Sequence, residues 1–199
     1  MDVAVLDYGI GNLHSLGKAL RAGGAAVRIV EDVDARLAAN ALVLPGVGAF
    51  GAAAARLERS ARGIRAAVAR GLPCLGICLG MQLLFEASEE GAGAGLGLLP
   101  GRVRRVRAPL VPHVGWNDAV PVCPDALFPD AEPLLAWFAH GFAAEPARAE
   151  QVLAWTEHGP DRFPAAVRAG SVWGVQFHPE KSGAAGLRLL GRFLAETAR

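Results

Sequence analysis

Cys78 stands between two glycines in the run Gly76-Ile77-Cys78-Leu79-Gly80. The apolar segment from Pro73 to Ile77 reads as a buried strand, and Leu79 to Ala87 reads as a helix. A cysteine at that junction is the thiol counterpart of a nucleophile elbow, a sharp turn that holds the reactive side chain in a strained conformation. The glycines suit it, because a Cβ at either position would collide across so tight a turn. A helix N-terminus behind the cysteine also favours a thiolate. Far downstream, the strand-like run Val172 to Phe177 ends on His178-Pro179-Glu180. Residues i and i+2 share a face of extended chain, and Pro179 stiffens the extension. Glu180 can therefore lie beside His178, fix its tautomer and stabilise the imidazolium. Cysteine, base and orienting carboxylate are what nucleophilic attack on an acyl carbon requires. Taken singly, Cys78 also reads as a buried inert thiol, and His178 with Glu180 as a solvated loop. Together they favour the chemistry.

The elements that must position these groups follow a βαβ rhythm. Val3 to Leu6 is a strand, and Leu13, Leu16, Gly17 and Leu20 share one face of a helix that stops at Gly23-Gly24. A strand from Ala26 to Val30, a short helical piece and a strand from Ala41 to Leu44 come next. That last strand empties into Pro45-Gly46-Val47-Gly48, whose glycines free the backbone to present N–H groups to an oxyanion, before a helix resumes at Phe50. In a parallel sheet this loop and the Cys78 elbow lie at the carboxyl ends of strands, where ligands bind. After the glycine-rich loop Glu90 to Gly97 the pattern changes to short strands at Val103–Val106, Val111–Trp116, Leu135–Phe138 and Gln151–Thr156. A closing helix, Ala185 to Thr197, carries Leu187, Leu190, Phe193 and Leu194 inward. The expected fold is α/β: a mostly parallel central sheet flanked by helices, with shorter antiparallel strands added in the second half. One domain spans 1–199.

Composition narrows the function classes. Twenty Lys and Arg against 19 Asp and Glu leave a formal charge of +1, so no global field points to nucleic acid or an anionic membrane. The opening residues lack the basic region of a signal peptide, and no apolar run approaches a membrane span. Cys74, Cys78 and Cys123 are odd in number and form no C-x-x-C pair, which suits a reducing cytoplasm. Gly9-x-Gly11 resembles half a dinucleotide fingerprint, but His14 holds the third glycine position. Lys18 and Lys181 are the only lysines. In a chain that otherwise uses arginine, Lys181 marks a place where a compact ammonium suits better.

Gly-x-Cys-x-Gly-x-Gln with a later strand ending in His-Pro-Glu resembles the class I (triad) glutamine amidotransferases. The likeness sharpens at Asp7 to Leu13, at Leu44 to Phe50, at Pro112-His113-Val114-Gly115-Trp116-Asn117 and at Gly174 to Gly183. Those segments are similar to the family of glutaminase subunits that serve imidazole glycerol phosphate synthase in histidine biosynthesis. The resemblance implies that Cys78 attacks the glutamine carboxamide, His178 shuttles the proton to departing ammonia, and Glu180 orients His178. It implies an oxyanion hole of backbone groups at Val47, Gly48 and Leu79. The glutamine pocket would draw on Gly46, Gln82, His140, Gly141 and Phe142. Ammonia would pass to a partner, a (β/α)8-barrel cyclase forming a heterodimer, across a face that includes His113, Trp116, Asn117, Trp137 and Lys181. No metal or organic cofactor is implied. The chain departs from the family's usual pattern at Gly141, which leaves only a backbone role there, and at His158, which stays unassigned. Two other readings keep the fold: a stand-alone cysteine amide hydrolase, and a catalytically silent regulatory module.

Overall fold

A computed structural model describes residues 1–9, 11–34 and 36–197; Ile10, inside the Asp7-to-Leu13 motif, lies outside them. The chain runs β1 (Asp2–Leu6), α1 (Leu13–Ala22), β2 (Ala26–Val30), β3 (Ala41–Leu44), α2 (Phe50–Ala69), β4 (Cys74–Ile77) and the one-turn α3 (Leu79–Gln82). Then come β5 (Ala87–Ser88), β6 (Gly101–Arg105), β7 (His113–Pro121), β8 (Leu134–His140) and β9 (Phe142–Pro146). A 3-10 turn at Ala149–Gln151 leads to β10 (Val152–His158), β11 (Asp161–Ala169), β12 (Val172–Val175), a 3-10 turn at Pro179–Lys181 and α4 (Gly183–Glu196).

The main sheet has nine strands in the order β2-β1-β3-β4-β12-β11-β10-β7-β8. Its first five are parallel, and β12 is the switch, pairing parallel with β4 and antiparallel with β11. The fold class is therefore as expected, with the antiparallel half drawn from the later chain. The inner parallel strands β1, β3, β4 and β12 are buried on both faces and read as largely apolar runs, while β2 at the edge is mostly exposed. Leu16 and Leu20 of α1 with Leu190 and Phe193 of α4 cover Val5, Val43, Ile77 and Val175. Phe50 and Leu57 of α2 cover Leu6, Leu42 and Leu44 on the opposite face. A small sheet, β5-β6-β9, stands beside it.

The structure departs from three expected features and adds two strands. The helix after Cys78 stops at Gln82, because the carbonyls of Leu83 to Glu86 accept N–H groups from Gly95 to Leu99 instead of continuing a helical ladder. No helix forms among the described residues between β2 and β3. There Asp32 and Asp34 accept the N–H groups of Val33 and Arg36 as side-chain turns. Leu187 is 44% exposed, since the inward stripe of α4 runs Gly186, Leu189, Leu190, Phe193, Leu194. β9 and β11 were not foreseen: the first follows β8 after a single residue, and the second contains Pro164.

Candidate active site

β4 delivers Cys78, and the turn into α3 holds it at φ 53° and ψ −108°, a left-handed backbone that a residue with a side chain rarely adopts. Both flanking glycines are sterically required. A Cβ on Gly76 would lie 2.6 Å from the Gly80 carbonyl oxygen, across the turn. One on Gly80 would lie 1.8 Å from the Leu44 carbonyl oxygen, so that glycine is set by the neighbouring strand end as well as by the turn. α3 is a single turn, which makes its dipole a small contributor at the cysteine. Of the other thiols, Cys123 is exposed, and burial pushes Cys74 up to about 12, which keeps it protonated and inert.

β12 points the chain at His178, beside β4 in the sheet. The imidazole Nδ1 is 2.9 Å from Glu180 Oε1, and both side chains are buried. The contact is made differently from the extended-chain expectation, since Pro179–Lys181 coils into a 3-10 turn that brings Glu180 back to the ring. The other ring nitrogen, Nε2, is buried without a hydrogen-bond partner and so is free for proton transfer. Burial by itself lowers the pKa of His178. The Cys78 sulfur and the Glu180 carboxylate outweigh it and raise the group to about 9. At neutral pH the ring is an imidazolium.

The loop that carries this pair is clamped to β8. His178 N–H donates to the Trp137 carbonyl at 2.8 Å, and Trp137 N–H donates to Ser182 Oγ at 2.9 Å. Ser182 Oγ in turn donates to the His178 carbonyl at 2.6 Å.

A cavity of about 70 Å³ opens at Cys78, lined by Val47, Gly48, Leu79, Gln82, Glu90, Ala139, His140, Gly141 and Phe142. Three stretches named from sequence thus meet at one sulfur. Gly46 is buried beneath the loop, where a Cβ would come within 2.7 Å of Leu79 Cβ. Three neighbours escaped the sequence reading. Glu90 lines the cavity while its carboxylate accepts Phe50 N–H at 2.8 Å. Ala139 offers its carbonyl 4.0 Å from Cys78 Sγ. Gln176, fully buried, donates to that sulfur at 3.7 Å. Gln176 precedes His178 by two on an alternating strand end, a signal that the site residues themselves supply.

The five residues expected on a partner face divide. Trp116 is 53% exposed and meets Trp137 edge to face, while Val114 and Leu135 are open beside them. Lys181 is exposed and Asn117 is half-buried, bonded to the Glu157 carbonyl. His113 is only 4% exposed and faces inward, because alternation along β7 turns Val114, Trp116 and Asp118 outward. Its side chain is therefore no part of an outer face. It stacks on Phe138 and on His158, and its Nδ1 meets His140 Nε2 at 3.3 Å.

This inward cluster has a titration consequence. Burial, then the neighbouring His158, lowers His113 to about 4. Burial, then His113, lowers His140 to about 3. The unfolded chain takes up these protons below about 6.5, while the folded protein refuses them until much lower pH. Stability should therefore fall on acidification from pH 6.5 towards 4, by about 1.4 kcal/mol per pH unit for each histidine. His178 acts in the opposite sense, its contribution full below 6.5 and lost as pH rises through about 9. Urea unfolding of wild type and of a His113→Phe, His140→Leu double variant tests this. An equal acid slope in both would overturn it.

The sequence and the fold can now be set beside known proteins. The family model described as glutamine amidotransferase class-I matches residues 4–197. The chain is 47% identical to an imidazole glycerol phosphate synthase subunit HisH from Gloeobacter violaceus, over 99% of this chain and 90% of that one. It is 44% identical to the subunit of the same name from Methanothermobacter thermautotrophicus, over 96% and 97%. Among solved structures, PurLQS from Thermotoga maritima superposes with a TM-score of 0.79 over 98% of each chain, at 24% identity. A structure titled glutamine amidotransferase gives 0.76 over the same shares, at 23% identity. These two speak for the fold. Near-complete coverage by the family model and by relatives above 40% identity settles the membership: the chain belongs to the class-I glutamine amidotransferase family.

Proposed function

We propose that this chain is the glutaminase subunit of an imidazole glycerol phosphate synthase, working through Cys78, His178 and Glu180. The observation that carries the reading is Cys78 on its strained elbow at the cavity, with His178 held by Glu180 and interacting with the Cys78 sulfur. The thiolate attacks the carboxamide carbon of glutamine. The developing oxyanion is met by Leu79 N–H and an N–H of the Gly46–Gly48 loop. As the C–N bond breaks, the His178 imidazolium protonates the nitrogen and ammonia departs. Neutral His178 then takes a proton from water, which opens the thioester and releases glutamate. Glu180 keeps the ring in place throughout. Glu90 supplies a carboxylate for the substrate's α-ammonium. Gln82 donates its Nε2 to the Phe142 carbonyl at 2.9 Å, which leaves its Oε1 free for the same end of the substrate.

Ammonia goes to a second subunit, a (β/α)8-barrel cyclase that uses it to form imidazole glycerol phosphate and an aminoimidazole carboxamide ribotide. Trp116, Trp137 and Lys181, with Asn117 at the edge, form the docking face. Aromatic anchors of this kind carry much of an interface's energy. Three free cysteines, Cys78 among them, support the reading of a reducing compartment, the cytoplasm. No helix among the described residues is long and apolar enough to cross a membrane.

Transfer is tested with amide-labelled [15N]glutamine, the chain, its cyclase, the cyclase's nucleotide and excess unlabelled ammonium. The label is expected in the imidazole product. A product carrying only unlabelled nitrogen would overturn delivery between subunits, and absence of glutamate would overturn the glutaminase itself.

A further inference from the structure

Four buried polar side chains, His113, His140, Gln82 and Gln176, link the base of β7 to Cys78. Donor and acceptor are fixed at each of their hydrogen bonds. The Phe142 carbonyl can only accept, and it does so from two sides: His140 Nδ1 at 2.9 Å and Gln82 Nε2 at 2.9 Å. On the first side, a neutral His140 that donates from Nδ1 must accept at Nε2. The bond to His113 Nδ1 at 3.3 Å then makes that nitrogen the donor and leaves His113 Nε2 to accept from Asn117 Nδ2. On the second side, the Gln82 amide is fixed with Nε2 toward Phe142, and the same nitrogen reaches Gln176 Oε1 at 3.3 Å. That turns Gln176 Nε2 toward Cys78 Sγ, 3.7 Å away. The chain closes on the nucleophile with an N–H and never with a carbonyl.

We infer that Gln176 is a catalytic residue, its amide N–H a donor that stabilises and aims the Cys78 thiolate, with Gln82 as the positioning residue that keeps the amide turned the right way. The inference rests on the reading of Cys78 as the nucleophile. Gln176 is 0% exposed, and a side-chain amide reversed in such a place would press a carbonyl oxygen against the sulfur and leave its N–H groups opposed to those of Gln82. The role differs from that of His178, which exchanges the proton. Gln176 holds none.

The test is the rate at which iodoacetamide alkylates Cys78 at neutral pH, since this reagent needs no glutamine pocket. Gln176→Met keeps most of the volume and removes the donor. Alkylation and kcat for glutamate release by the complex should each fall roughly tenfold, the loss of one hydrogen bond to a charged group, with KM within about twofold. Gln176→Glu keeps the shape and presents only oxygens, so its fall should be larger, and it decides the matter if the methionine variant does not fold. Gln82→Leu, which frees the Gln176 amide to turn, should slow alkylation although Gln82 does not touch the reagent's target. Wild-type alkylation rates in folded Gln176→Met or Gln176→Glu would overturn the assignment. Alkylation that depends on Gln176 in a protein that releases no glutamate would instead sink the glutaminase reading and leave the donor standing.

Discussion

Replacing Cys78 with serine is expected to lower glutamate release by about ten-thousand-fold or more, with the partner subunit or without it. A hydroxyl is a far weaker nucleophile than a thiolate and stays protonated at neutral pH, so Oγ would need its proton removed in the same step. Part of what charges His178 and readies it to protonate the leaving nitrogen is the sulfur itself, which the variant removes. The two residues form one unit, and the variant breaks it. Cys78→Ala should show the same coupling from the other side. With the sulfur gone, burial is opposed by Glu180 alone, and the His178 pKa should drop well below 9. Ring-proton NMR titration reads this directly. A midpoint unchanged at about 9 in the alanine variant would mean that Glu180 alone sustains the charge, and the coupling of His178 to the sulfur would have to be abandoned.

A second large effect is expected from the partner. Gly48 sits at φ 109°, and Val47 between its glycines is 39% exposed, so the peptide there can aim either an N–H or a carbonyl at the oxyanion. Only the N–H stabilises the tetrahedral intermediate, and one such donor changes kcat by roughly a hundredfold to a thousandfold. Glutamate release by the isolated chain should therefore be low, and should rise by that factor when the cyclase with its bound nucleotide biases the peptide. The same assay run with and without cyclase and nucleotide decides it. Full activity in the lone chain would sink the idea.

The legible parts of this molecule were those set by local pattern. Gly76 and Gly80 around Cys78 announced a turn that excludes a Cβ, and the contacts of both show why. The parallel half could be read because its inner strands are largely apolar and its helices carry 3.6-residue stripes. The contact between His178 and Glu180 was foreseen, but through extended chain, where the protein uses a 3-10 turn. What escaped was decided at long range. The helix after Cys78 ends where Gly95 to Leu99 capture its carbonyls, and nothing within Leu83 to Ala87 signals that competition. Glu90 reaches the cavity from a glycine-rich loop that reads as a plain connection. His113 carries an aromatic, polar side chain that could belong inside or out, and only the register of β7 against β8 places it inside.

β8 ends the nine-stranded sheet with its edge held at Trp137 by the His178–Ser182 loop, but on the open face of β7 and β8 Val114, Trp116 and Leu135 stand exposed to water. Apolar side chains grouped on one open face of two neighbouring strands invite association with any apolar surface that meets them. That liability has nothing to do with catalysis and everything to do with supply. A copy made ahead of whatever covers this face is an aggregation hazard for as long as it waits. Matched synthesis of the two subunits would thus protect solubility as well as flux, and recombinant yield should depend on co-expression more than on the stability of the fold.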